Sequence, residues 1–146
     1  MIMLIFLLKR ITISFLFLSF LSCFLFAEPQ PTATFNSVKL GKVIDGDTFK
    51  VNLNCKYKIF CKAISVRVRG INTPELNAKD PVIKKKAQKA KQFTKGFLSR
   101  KKIKLKECSR GKYFRLVCDV YANKESLAEA LLAKELAVPY ENKTSH

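Results

Sequence analysis

The sequence predicts an α+β domain that is mainly β: a barrel of about five strands carrying two helices. Three observations lead there. Several short segments alternate apolar and polar residues at the two-residue period of a strand with one buried face. Two longer segments carry apolar residues at three- and four-residue steps behind recognisable caps. Their order is strand, strand, strand, helix, strand, strand, helix, which suits an antiparallel sheet or barrel with helices packed on it.

Strand signals begin at Phe35. In "TFKVNL" Phe49, Val51 and Leu53 face one way and Thr48, Lys50 and Asn52 the other. "ISVRVRG" repeats the pattern, with Ile64, Val66 and Val68 inward and Ser65, Arg67 and Arg69 outward. The first helix follows: Asp80 is a good N-cap, Pro81 suits the first helical position, and Ile83, Ala87, Ala90, Phe93 and Phe97 supply an apolar stripe. Lysines cover its other faces, as a solvated surface would. "KIKLK" and then "RLVCDVY" give two more strands. Ser126 with Glu129 three residues on is a capping box opening the second helix, with Leu127, Ala130, Leu131 and Leu132 as its stripe.

The 146 residues suffice for one domain. Residues 1–27 differ from the rest: Lys9 and Arg10 are followed by a long uncharged apolar run ending at Ala27. This reads as a signal peptide cleaved near Ala27, giving a secreted or periplasmic protein. An uncleaved membrane anchor is the alternative. Residues 28–36, including the proline-spaced "EPQPTAT", read as a linker, and residues 37–146 as the domain.

The formal net charge is +17, with 28 Lys and Arg against 11 acids. Such a field attracts polyanions, nucleic acid first, with anionic lipid or cell wall as the alternative. Cleavage at Ala27 leaves Cys55, Cys61, Cys108 and Cys118. An even count in an exported chain suggests two disulfides. Three pairings are possible; Cys55–Cys61 and Cys108–Cys118 are favoured because each brackets an expected turn. The single histidine, His146, is terminal, so chemistry based on histidine is not expected.

Three stretches carry candidate chemistry. "VIDGDTFKV" holds Asp45 and Asp47 around Gly46, either a simple Asp-Gly turn or a convergent carboxylate pair. "VRVRGINTPEL" ends a strand bearing Arg67 in a polar corner, Asn72-Thr73-Pro74-Glu75, where Pro74 restricts the backbone and can aim Glu75. "GKYFRLVCDVY" places Lys112 and Tyr113 in a loop before Arg115. Tyr113 is either a core tyrosine or a ring on which a base or sugar can stack.

These three stretches, in this order and interleaved with strands, resemble the thermonuclease family of staphylococcal-nuclease-like domains over about Val38 to Tyr140. The resemblance implies an oligonucleotide-binding barrel that binds one Ca²⁺ and hydrolyses DNA and RNA, leaving 3′-phosphate ends. It implies roles residue by residue. Asp47, Asn72 and the Thr73 carbonyl match metal ligands, and Asp45 a supporting acid behind them. Glu75 matches the residue that activates or orients water, and Arg67 and Arg115 the phosphate clamp. Lys112 and Tyr113 match terminal-phosphate contacts, and Tyr140 a base-stacking tyrosine. Nucleic acid is the expected partner, with no obligate protein partner and a monomeric state.

The chain departs from the family pattern in three places. Asn72 stands where the family usually has an aspartate, and weaker metal binding is expected from the lost charge. The hairpin between Asp47 and Arg67 is longer, with Cys55 and Cys61 in the extra segment. The chain stops soon after the second helix, leaving no third. A nucleic-acid-binding barrel of weak or no catalytic power is the alternative function, and Asn72 is the residue that favours it.

Overall fold

The computed structural model describes residues 32–140. The expected signal segment and His146 lie outside these residues. Five strands form the barrel: β1 (Ala33–Val43), β2 (Thr48–Asn52), β3 (Ile64–Val68), β5 (Ile103–Arg110) and β6 (Leu116–Ala122). Their order is β3-β2-β1-β5-β6, and β3 pairs with β6 to close the ring. Inward residues match the alternation of the sequence: Phe49, Val51, Val66, Val68, Ile103, Leu105 and Val120 fill the interior. Five strands are few enough for their own side chains to fill the barrel.

Two expectations are corrected. The closing pair β3–β6 is parallel, Val66 opposite Leu116 and Val68 opposite Cys118, so the barrel is mixed rather than antiparallel. The linker ends earlier than residue 36: Ala33 and Phe35 already pair with Cys108 and Leu105 of β5. Phe35 packs against the core, which recruits this segment despite its linker-like composition.

Helix α1 (Pro81–Leu98) is capped by Asp80, whose carboxylate accepts the Val82 N–H at 2.8 Å. Its buried stripe is Ala87, Ala90, Thr94 and Leu98. Phe93 and Phe97 flank that stripe with ring centroids 5.7 Å apart, and Ile83 is exposed. Both phenylalanines still pack against the core, from the edge of the contact face that Ala87, Ala90, Thr94 and Leu98 occupy. A β7 strand (Glu125–Ser126) extends the sheet beside β6 and leads into helix α2 (Leu127–Ala133). Leu127 and Leu131 are fully buried, and Ser126 caps the Glu129 N–H as its position predicted. After α2 the chain forms β8 (Val138–Pro139), which pairs with β4 (Ile71–Asn72) in a short ribbon outside the barrel.

Both disulfides follow the favoured pairing. Cys108–Cys118 joins neighbouring strands β5 and β6 inside the core. It lies beside a bulge where Glu107 has φ 48° and the β5–β6 register shifts. Cys55–Cys61 staples the loop between β2 and β3, whose tip exposes Tyr57, Ile59 and Phe60. Arg69 links β3 to the bulge: it pairs with Asp119 and donates to the carbonyls of Val117 and Glu107.

Candidate functional site

The site is built where the β1–β2 turn, the corner after β3 and the second half of α1 meet. The turn Asp45-Gly46-Asp47 is closed by the Ile44 and Asp45 N–H groups, both donating to the Thr48 carbonyl at 2.9 Å. Gly46 is required for a reason its sequence context does not reveal. A Cβ there would lie 2.7 Å from the Ala90 methyl and 2.8 Å from Thr73 Cγ2. The turn is therefore wedged between helix and corner, and the Thr94 hydroxyl fastens it by donating to the Gly46 carbonyl.

Asp47 is 3% exposed, yet its carboxylate is fully satisfied. Oδ1 accepts from the Thr48 hydroxyl at 2.8 Å and from Arg67 Nη1 at 2.9 Å. Oδ2 accepts from the Thr73 N–H at 2.8 Å and the Thr73 hydroxyl at 3.1 Å. A buried carboxylate is tolerable only when paired and hydrogen-bonded in this way. It is Thr73's N–H and hydroxyl, not its carbonyl, that meet Asp47.

Arg67 extends from the outer face of β3 and donates Nη2 to the Asn72 side-chain oxygen and to the Ile71 carbonyl. The Asp47 carboxylate and the Asn72 amide oxygen thus converge on one cationic group. Nε of Arg67 has no partner among the described residues. Asp45 sits half-buried in the same turn. Burial foremost, and then the charge of Asp47, push its carboxyl up, against the opposing pull of Lys91 and Arg67.

The remaining candidates lie on the corner after β3, in the loop before β6 and at the end of the β4–β8 ribbon. Glu75 follows two residues after Thr73; its backbone carbonyl accepts the Ala78 N–H, and its exposed carboxylate has no partner among the described residues. The corner therefore holds the Glu75 backbone, but no contact aims its side chain. Arg115 precedes β6 with an extended backbone, two residues before Val117, which stands opposite Arg67. Strand alternation puts Arg115 and Arg67 on the same outer face, about two residues apart along the strands. Arg115 makes no ion pair among the described residues, and its guanidinium lies 5.7 Å from the Tyr113 ring centre.

Lys112 and Tyr113 form a 3-10 turn that also holds Phe114. Tyr113 is 84% exposed and Phe114 85%, so the core-tyrosine alternative is excluded. Both have φ near +57°, a left-handed conformation that costs a non-glycine residue energy. Tyr140 is brought beside the corner by the β4–β8 ribbon: its N–H donates to the Gly70 carbonyl at 2.9 Å, and its ring is half exposed.

Nothing in the sequence marks Thr48, Ala90 and Thr94 as supports of the site. Each lies in a regular strand or helix pattern, and only the packing of turn on helix shows their contacts. The donor set suits Ca²⁺ chemically, because carboxylate and amide oxygens are hard ligands already gathered on one cation. It is poor in charge: among the described residues no three His, Cys, Asp or Glu side chains cluster.

No curated protein matches the chain. A family profile described as staphylococcal nuclease homologue matches residues 65–146. That segment contains Arg67, Asn72, Glu75 and Arg115 but begins after the Asp45–Asp47 turn, which the hydrogen bonds of Asp47 join to it. With more than half its length matched and a closed five-stranded barrel beneath the site, the chain belongs to the staphylococcal nuclease homologue family.

Proposed function

We propose that the chain is an exported, Ca²⁺-dependent endonuclease that hydrolyses DNA and RNA without regard to sequence and leaves 3′-phosphate ends. The observation that supports this best is the convergence of Asp47, Asn72 and Arg67, with Arg115 on the same face and Glu75, unpaired among the described residues, three residues after Asn72. Export is supported by the N-terminal sequence and by the two disulfides, which persist in oxidising compartments. Retention at a membrane by an uncleaved N-terminal segment is the alternative.

Asp47, Asn72 and the Thr73 carbonyl would hold Ca²⁺, which would add positive charge at a phosphoryl oxygen. The protein's own groups do the rest. Arg67 and Arg115 meet the charge that gathers on the equatorial oxygens of an attacked phosphodiester; planar guanidiniums do this with paired bonds. Preorganised donors of this kind contribute roughly 10²–10³ each to rate in comparable sites. Glu75 takes the proton of the attacking water as the new P–O bond forms. The bond from phosphorus to the 5′-oxygen breaks with its electron pair leaving on that oxygen, which takes a proton from solvent water. Lys112, Tyr113 and Tyr140 would contact phosphate and base at the rim. Contacts to the phosphate backbone carry no sequence information, hence the lack of specificity.

Plasmid DNA incubated with the protein should be cut in Ca²⁺ and spared in EDTA or by Glu75→Gln. Equal cutting by Glu75→Gln would reject the role of Glu75. A second reading, binding without catalysis, is favoured by the neutral Asn72 and by an Asp47 whose lone pairs are already taken. DNA binding in EDTA with no cutting in Ca²⁺ would establish it.

A further inference from the structure

The outer face of β5 carries a second feature that the site does not use. Lys102, just before β5, and Lys104 and Lys106 within it alternate with the buried Ile103 and Leu105, so all three side chains share the outer face. With Lys124, Tyr121 and Asn123 they line a groove of about 640 Å³. None of the four lysines has an ion-pair partner among the described residues. The acids nearby are engaged elsewhere: Asp119 by Arg69, Glu125 by Lys101 and Glu107 by the Thr32 hydroxyl.

The groove is also rigid. Asn123 and Lys124 form a turn with positive φ. The turn is locked to β5 by a reciprocal pair, Lys102 N–H to the Asn123 side chain at 3.1 Å and Asn123 N–H to the Lys102 carbonyl at 3.2 Å. The Lys106 ammonium lies over one face of the Tyr121 ring, 4.6 Å from its centre, which ties the lysine to the groove wall.

Alternate residues of a strand are spaced by about 6.6 Å, so the three lysines span roughly 13 Å. A lone phosphate cannot meet them together; a chain with regularly repeated negative charge can. A bilayer presents a plane and does not enter a concave groove. We propose that this groove binds the sugar-phosphate backbone of a single nucleic-acid strand, with Tyr121 as a platform for a base. It lies along β6 from the candidate site: six residues, about 20 Å, separate Arg115 from Tyr121. The groove is then the far anchor of a strand whose other end lies at Arg67 and Arg115. The choice of nucleic acid as ligand rests on the function proposed above.

Binding is measured in EDTA, where no cutting is expected, with a labelled oligothymidylate of about 12 nucleotides, within the range one such barrel covers. The salt dependence of binding reports the phosphates neutralised, about 0.7 of log–log slope for each in a single strand. Replacing Lys102, Lys104 and Lys106 together by alanine should lower the slope by about 2. Removing Lys84, Lys85 and Lys89 of α1 takes away the same charge and should change it far less. Tyr121→Ala should weaken binding at least about fivefold with the slope intact.

A glutamine triple at the same positions serves if the alanine triple melts early. An unchanged slope in the groove triple, an equal fall in the helix triple, or loss of binding only to phosphatidylglycerol vesicles would each overturn the proposal. Hydrolysis of a dinucleotide, too short to reach the groove, should be unaffected by the groove variants. If wild-type protein hydrolyses nothing, the nuclease reading fails while the groove is still judged by binding.

Discussion

Gly46→Ala tests the packing that assembles the site. The added Cβ would meet Ala90 Cβ at 2.7 Å and Thr73 Cγ2 at 2.8 Å, where ordinary contact begins near 3.4 Å. Neither neighbour can swing away. Ala90 is a fully buried methyl on a helix, and Thr73 is held by two hydrogen bonds to Asp47. The turn must therefore retreat by more than half an ångström, and with it the Thr94 contact and Asp47. Overpacking of this kind costs about 1–3 kcal/mol. For a domain near this size that lowers the melting temperature by roughly 5–20 °C. The displacement also moves the ligand oxygens, and misplacement approaching 1 Å costs about 10²-fold in rate. Circular-dichroism melting and plasmid cleavage in Ca²⁺ read the two effects. Gly96→Ala is the control: a Cβ there meets nothing within 4 Å, and it lies inside α1, so alanine should stabilise by about 0.5–1 kcal/mol. A Gly46→Ala protein that melts within about 2 °C of its parent and cuts at the same rate would refute the reasoning.

Other outcomes follow from the same geometry. Asn72→Asp adds a charge where Asp47 and Asn72 already converge, so half-maximal cleavage should need less Ca²⁺; an unchanged requirement would remove Asn72 from the ligand set. The folded state holds the Asp45 carboxyl above its unfolded value, so ionising it opposes folding. That penalty is absent below about pH 3.9 and grows as pH rises through the raised folded value. Asp45→Asn in EDTA should therefore melt higher than its parent at neutral pH and no higher at pH about 3; a neutral-pH loss of stability would contradict the burial argument. The two disulfides close loops of similar length, with sequence separations of 10 and 6, and on loop entropy each contributes about 2–3 kcal/mol. Cys108 and Cys118 are also buried in the core, so replacing that pair by alanine should cost more than replacing Cys55 and Cys61, as denaturant midpoints would show.

The barrel was legible because strand alternation, helical spacing and caps are local. Phe49, Val66 and Leu105 announce their buried face within a few residues, and Asp80 and Ser126 mark their helix starts without reference to the rest of the chain. The three motifs were visible for the same reason. Their meeting was not: Asp47 lies 20 or more residues from Arg67 and Thr73, and hydrogen bonds of that span leave no local pattern. Only the closed barrel decided that β3 runs parallel to β6, which puts Arg115 on the face of Arg67. Only the close approach of α1 made Gly46 a matter of space and drew Thr94 into the site. Periodicity records which way a side chain points; which neighbour it meets depends on how far the elements stand apart, and that distance is a property of the packed molecule.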